Sequence, residues 1–112
     1  MQIQIQINTD NHIKGTSKLS ELAISEVESA LEHLSSHVTR VEVHLSDENS
    51  HKGGAHDKRC VMEARLEGHQ PLAVTADGES IDMAIGEAAE KLKHAVDHTI
   101  GRAQAINNPQ KK

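Results

Sequence analysis

The chain contains no phenylalanine, tyrosine or tryptophan among its 112 residues. Any core must therefore be built from Ile, Leu, Val, Ala and Met. It should be thin, because aromatic side chains bring the largest buried area per residue. The same absence removes the stacking platforms on which single-stranded RNA and DNA readers rest their bases. A single cysteine, Cys60, excludes an internal disulfide and fits a reducing compartment. No stretch approaches the roughly 20 consecutive apolar residues of a membrane span. The opening MQIQIQIN alternates apolar and polar residues, whereas a signal peptide needs a continuous apolar run. A cytosolic protein is expected, with no membrane partner. The formal net charge of −5 argues against loose, non-specific nucleic-acid binding. A local basic patch can still set the field that a ligand meets. At this length one domain is expected, residues 1–106, followed by a flexible tail at 107–112.

What is present is periodicity. Ile3, Ile5 and Ile7 alternate with Gln2, Gln4 and Gln6, which predicts a strand with one buried face. From Thr16 to Ser36, Leu19, Leu22, Ala23, Val27, Ala30, Leu31 and Leu34 recur at spacings of three and four, which predicts an amphipathic helix with an acidic outer face. Thr16 or Ser17 can cap its start. Val38–Ser46, Lys58–Glu67 and Leu72–Ala76 alternate again, separated by the polar loop DENSHKGG and a short turn. A second helix is predicted from Ile81 to about Ile100, with Gly101 as its end signal. The order β-α-β-β-β-α makes the first helix a crossover, so strands 1 and 2 should be parallel neighbours. The expected fold is α+β, a four-stranded sheet in the order 1-2-3-4 with both helices on one face. Gln4, Arg40, Glu42, His44, Arg59, Glu63 and Arg65 should line the other, solvated face.

Three groups of residues invite chemistry. Cys60 is a candidate nucleophile, but it alternates in phase with Met62 and Ala64, which makes a small core residue the better reading. His33/His37 and His94/His98 both have the i,i+4 spacing that can hold a metal. The second pair reads HAVDH and lacks the Glu after the first His that a zinc-protease helix needs; exposed polar histidines are the preferred reading, and no metal or cofactor is expected. The most informative pattern is charge. Asp77 to Glu90 holds five acids and no base, whereas Lys91 to Lys112 holds five bases and one acid, Asp97. Complementarity to the helix dipole explains that separation. It does not require Lys91, His94, His98 and Arg102 to share one face, as their spacings of 3, 4 and 4 imply.

The segments RVEVHLSDEN, HKGG followed by DKRCVMEARLEG, and AIGEAAEKLKHAVDHTIGR, in this element order, resemble the ribosome hibernation promoting factor and ribosome-associated inhibitor family. The likeness runs from Met1 to about Arg102 and is closest to short members carrying the KGG, DKRC and EARLEG strings. The resemblance implies a non-enzymatic cytosolic protein that binds the small ribosomal subunit, inhibits translation and promotes or protects inactive ribosomes. It implies rRNA contacts by Lys91, His94, His98 and Arg102. Lys93, Lys52, Lys58, Arg59 and Arg65 are second-tier candidates, and DNA is not an expected partner. The chain departs from the family pattern in several respects. Ser80, Ile81 and Asp82 replace an Asp-Met-Tyr segment, His occupies two stripe positions usually held by Lys or Arg, the basic C-terminal extension is shortened to Lys111 and Lys112, and the first helix is acidic; weaker or pH-dependent ribosome binding is the expectation. Oligomeric state is left open. The rival readings are a homodimerising interaction module that uses the polar sheet face or the edge strand Leu72–Ala76, and a small metal-binding protein using His94, His98 and Asp97.

Overall fold

A computed structural model describes residues 3–10, 16–47 and 58–107, with side chains through residue 101. Strand β1 spans Gln4–Thr9, helix α1 Ser17–Ala30, β2 Val38–Asp47, β3 Lys58–Leu66, β4 Leu72–Gly78 and α2 Ile81–Asn107. The sheet order is β1-β2-β3-β4. β1 pairs parallel with β2, and the remaining neighbours are antiparallel. This is the α+β arrangement expected from the alternation and the single crossover. The loop with Lys52 and the KGG string, and most of the C-terminal tail, lie outside the described residues.

The period of two explains the sheet. Val41, Val43 and Leu45 of β2 and Cys60, Met62 and Ala64 of β3 are essentially without solvent contact, as are Ala23 and Val27 of α1 and Ile85, Leu92 and Val96 of α2. These form one aliphatic cluster, with Ile5, Ile7, Leu19, Leu22 and Val74 half-buried at its margin. With no aromatic ring to fill space, branched aliphatic side chains interdigitate with alanines, and Ala84, Ala88 and Ala89 let α2 lie close to the strands.

Both helices start on hydroxyl caps. Thr16 Oγ1 accepts from Leu19 N–H at 3.1 Å and Ser80 Oγ from Met83 N–H at 3.2 Å. Two helix ends differ from expectation. α1 stops at Ala30, and Leu31 (φ −106°, ψ 18°) leads into a 3₁₀ turn, Glu32–Leu34, in place of continuous helix to Ser36. α2 runs through Gly101 to Asn107. Gly68 is the glycine with positive φ among the described residues. Gly101 therefore makes no left-handed cap, and Arg102, Ala103, Gln104 and Ala105, all good helix formers, offset the roughly 1 kcal/mol that one internal glycine costs. Gly68 (φ 79°) instead sits third in the Leu66–His69 turn, closed by His69 N–H to the Leu66 carbonyl at 3.2 Å.

Candidate functional site

Helix α2 buries Ala88, Leu92 and Val96 and turns Lys91, His94 and His98 to solvent. On an α-helix, positions 91, 94 and 98 lie within a narrow sector, and Arg102 continues it one turn further. The backbone of Arg102 is helical; its side chain lies outside the described residues. The sector borders the free edge of β4. Lys91 Nζ donates to the Thr75 carbonyl at 2.9 Å and lies 4.0 Å from Glu87 Oε2. Lys91 thus has two functions in reach. It satisfies an edge-strand acceptor, a recognised way to blunt a sheet edge, and it keeps its charge at the surface. Thr75 lies within the edge segment Leu72–Ala76 considered for pairing with another chain, so that edge is partly occupied by this lysine.

The second-tier residues do not join this flank. Lys93 is exposed but lies about 160° away around the helix from Lys91. Arg59 and Arg65 alternate out of phase with Cys60 and Met62, so they project from the open face, on the far side of the sheet from α2. Arg59 is engaged there: its Nε meets Asp77 Oδ1 at 2.8 Å across the β3–β4 pair. Lys58 is half-buried, with Nζ 3.6 Å from Asp47 Oδ2. Arg65 is exposed opposite Arg40. Lys52 lies outside the described residues. The structure therefore groups Lys91, His94 and His98 and disperses the other described candidates.

The open face has its own order. Arg40 Nη2 lies 3.0 Å from Glu42 Oε2, and Arg40 also donates to Gln4 Oε1 at 3.4 Å and to Gln6 Oε1. His44 Nε2 lies 3.4 Å from Glu42 Oε1. The hydrogen bond from Arg40 holds the Glu42 carboxyl below its ordinary range; partial burial opposes it, and the Arg40 and His44 charges assist. Arg40 as a hub for two β1 glutamines was not foreseen. The parallel pairing of Gln4 with Arg40 and Gln6 with Glu42 creates it, and the signal was the alternation of both strands once placed side by side.

Nucleophilic chemistry finds no support. Cys60 is fully buried, and that burial pushes its thiol up to about 12, so almost no thiolate forms at neutral pH. A groove of about 340 Å³ near the N-terminal turns of α1 and α2 is lined by Thr16, Lys18, Leu19, Leu22 and Asp82, without a base–nucleophile pair. Among the described residues no group of three or more His, Cys, Asp or Glu converges on a metal position. No helix among them is long and apolar enough to cross a membrane.

The domain combines β-α-β-β-β-α order, an aliphatic core, a polar open face and a long second helix carrying surface cations. Residues 5–104 match the family model described as "Sigma 54 modulation protein / S30EA ribosomal protein", and the chain belongs to that family. The fold is shared with a ribosomal subunit interface protein from Coxiella burnetii, at a TM-score of 0.73 and 13% identity, over 88% of this chain and 99% of that one. It is shared too with the N-terminal domain of Protein Y from Thermus thermophilus, at a TM-score of 0.67 and 18% identity, over 88% and 99%. No curated protein sequence gives a significant match. The family is one of non-enzymatic, ribosome-associated proteins of the subunit-interface or hibernation type, as the sequence resemblance implied.

Proposed function

We propose that this protein acts in the cytoplasm by binding the small ribosomal subunit through rRNA phosphates, thereby inhibiting translation and protecting idle ribosomes. The outer flank of α2 is the principal contact, with Lys91, His94, His98 and Arg102 facing the RNA. The observation that carries this reading is the grouping of Lys91 with two exposed imidazoles on one flank of a helix whose other side is locked into the core, within a chain of this family. The mechanism is steric: a small rigid body occupies a site that a translating ribosome needs. Charge–phosphate contacts supply affinity without stacking, which suits a chain lacking aromatics.

The test is co-sedimentation with purified small subunits across a salt series, comparing wild type with the Lys91→Glu, Arg102→Glu double variant. Wild type should pellet, and its binding should weaken steeply with salt. Removing two phosphate contacts should reduce the slope of log affinity against log salt by about 2. In a cell-free translation reaction, wild type should lower peptide synthesis and the double variant should not. Equal pelleting by both proteins, or binding indifferent to salt, would overturn the assignment.

A further inference from the structure

The chain carries two His-x-x-x-His pairs, and the structure separates them. His33 lies inside the 3₁₀ turn Glu32–Leu34, and His37 follows it, with its N–H bonded to the Leu34 carbonyl at 3.0 Å. His37 lies three residues beyond the end of that turn, so no continuous α-helix brings the two side chains onto one face. His94 and His98 instead occupy uninterrupted α-helix within Ile81–Asn107. There, side chains four apart differ by only about 40° and their Cβ atoms lie about 5–6 Å apart. Both imidazoles are exposed, and neither has a hydrogen-bond or ion-pair partner among the described residues.

We propose that His94 and His98 form a two-point chelate on α2 for a divalent transition-metal ion of the imidazole-binding class: Zn²⁺, Ni²⁺ or Cu²⁺. The helix holds both donors in place before the ion arrives, and ring nitrogens projecting from adjacent turns can reach a common ion at about 2.0–2.1 Å. Hard cations such as Mg²⁺ and Ca²⁺ are the wrong class, since they take oxygen ligands. Glu90, one turn before His94, and Asp97, beside His98, add negative charge; Lys91 and Lys93 oppose it, with Lys91 held near Glu87 and the Thr75 carbonyl. Because no third protein ligand converges among the described residues, the remaining coordination positions are open to water or to a phosphate oxygen. Bridging of helix to RNA through such an ion rests on the ribosomal reading above; binding of the ion by the free chain does not.

The test uses untagged full-length chain, stripped with chelator and free of RNA, titrated calorimetrically with NiCl₂ and with ZnCl₂ near neutral pH. Wild type should take up a single ion per chain and melt at a higher temperature with the ion than without it. Outer-sphere partners alone change metal affinity by about 10–100-fold, so His98→Ala, which removes a ligand, should weaken binding at least about tenfold. The His94→Ala, His98→Ala variant should also lose the metal-dependent rise in melting temperature. The His33→Ala, His37→Ala variant should bind like wild type. No uptake by wild type overturns the proposal. Uptake that survives loss of both His94 and His98 also overturns it, because other histidines then hold the ion. Neither result bears on ribosome pelleting, so the two readings fail separately.

Discussion

The two faces of the sheet are chemically opposite. The covered face presents Val41, Val43, Leu45, Cys60, Met62 and Ala64 to α1 and α2, all within 1% of complete burial. The open face sets Arg40 across from Arg65 and Glu42 across from Glu63. Like charges directly opposite on neighbouring strands are destabilising, and Arg40 is relieved by Glu42 along its own strand and by Gln4 and Gln6 of β1. One face therefore supplies stability, and the other is held in place by it. The cations of α2 proposed to meet RNA belong to neither face: they stand on the outer flank of a helix whose inner side is part of the covered layer. This places the sharpest energetic contrast within single elements, and substitutions on either side of the sheet should behave accordingly.

The largest effect is expected in the covered layer. Leu92 is fully buried at the middle of α2, while Leu22 of α1 is only half-buried. Leu92→Ala should destabilise by about 2–5 kcal/mol, the range for a large-to-small change that leaves a cavity. Leu22→Ala should cost distinctly less, because the exposed part of its side chain had little transfer energy to lose. Urea midpoints of the two variants check the order. Equal losses would mean that α1 is as tightly covered as α2.

Next comes the junction between β4 and α2. A Cβ at Gly78 would lie 3.0 Å from Ala84 N and 3.2 Å from Ser80 O, both backbone atoms that cannot swing away. Gly78→Ala should destabilise by about 1–3 kcal/mol, as overpacking does. Gly86, inside α2, has nothing within 4 Å of such a Cβ. Gly86→Ala should therefore stabilise by about 0.5–1 kcal/mol through helix propensity alone. Opposite signs in thermal melts would show that backbone approach, and not glycine as such, limits the covered layer.

The same contrast explains what was legible in the sequence. The covered face announces itself through spacing: Val41, Val43 and Leu45 at period two, and Ala88, Leu92 and Val96 at helical period. Burial on one side is what creates such patterns, so element order, sheet order and core could be read directly. Contacts on the open side and along the edges depend on register, which spacing does not carry. Arg59 with Asp77, and Arg40 with Gln6, meet only after β1 and β4 are placed beside their neighbours. The approach of Lys91 to the Thr75 carbonyl needs the tilt of α2 over the edge strand. Gly101 misled because a glycine ends a helix only when the chain adopts the left-handed conformation there. The common face of Lys91, His94 and His98 was readable from spacing. The projection of Arg59 and Arg65 from the opposite face of the sheet was readable too; the pairing of Lys58 with Asp47 was not.

Smaller effects are expected at the helix caps. Thr16 and Ser80 each hold one N–H of a first turn from an exposed position. Thr16→Ala and Ser80→Ala should each cost about 1 kcal/mol. The two losses should add in the double variant, since the caps share no partner. Denaturant titration of the two single variants and the double variant tests this. A double variant more stable than the sum would mean that the adjoining N-terminal turns are coupled across the groove lined by Thr16, Leu19, Leu22 and Asp82.

The smallest effect belongs to the open face and disappears in acid. Glu42 is held below its ordinary value of 4.5, first by the hydrogen bond from Arg40. A carboxyl depressed in the folded state contributes stability above its unfolded value and loses it as pH falls through the folded one. Glu42→Gln should therefore lower the urea midpoint slightly at neutral pH, within the modest range of a solvent-screened ion pair. The difference should close as pH falls below the ordinary carboxylate range and the wild-type carboxyl takes up its proton. Convergence of the two curves in acid would show that the open face contributes through charge alone. A gap that persists unchanged would mean that Glu42 packs its strand, and the division between a face that stabilises and a face that is merely carried would have to be redrawn at β2.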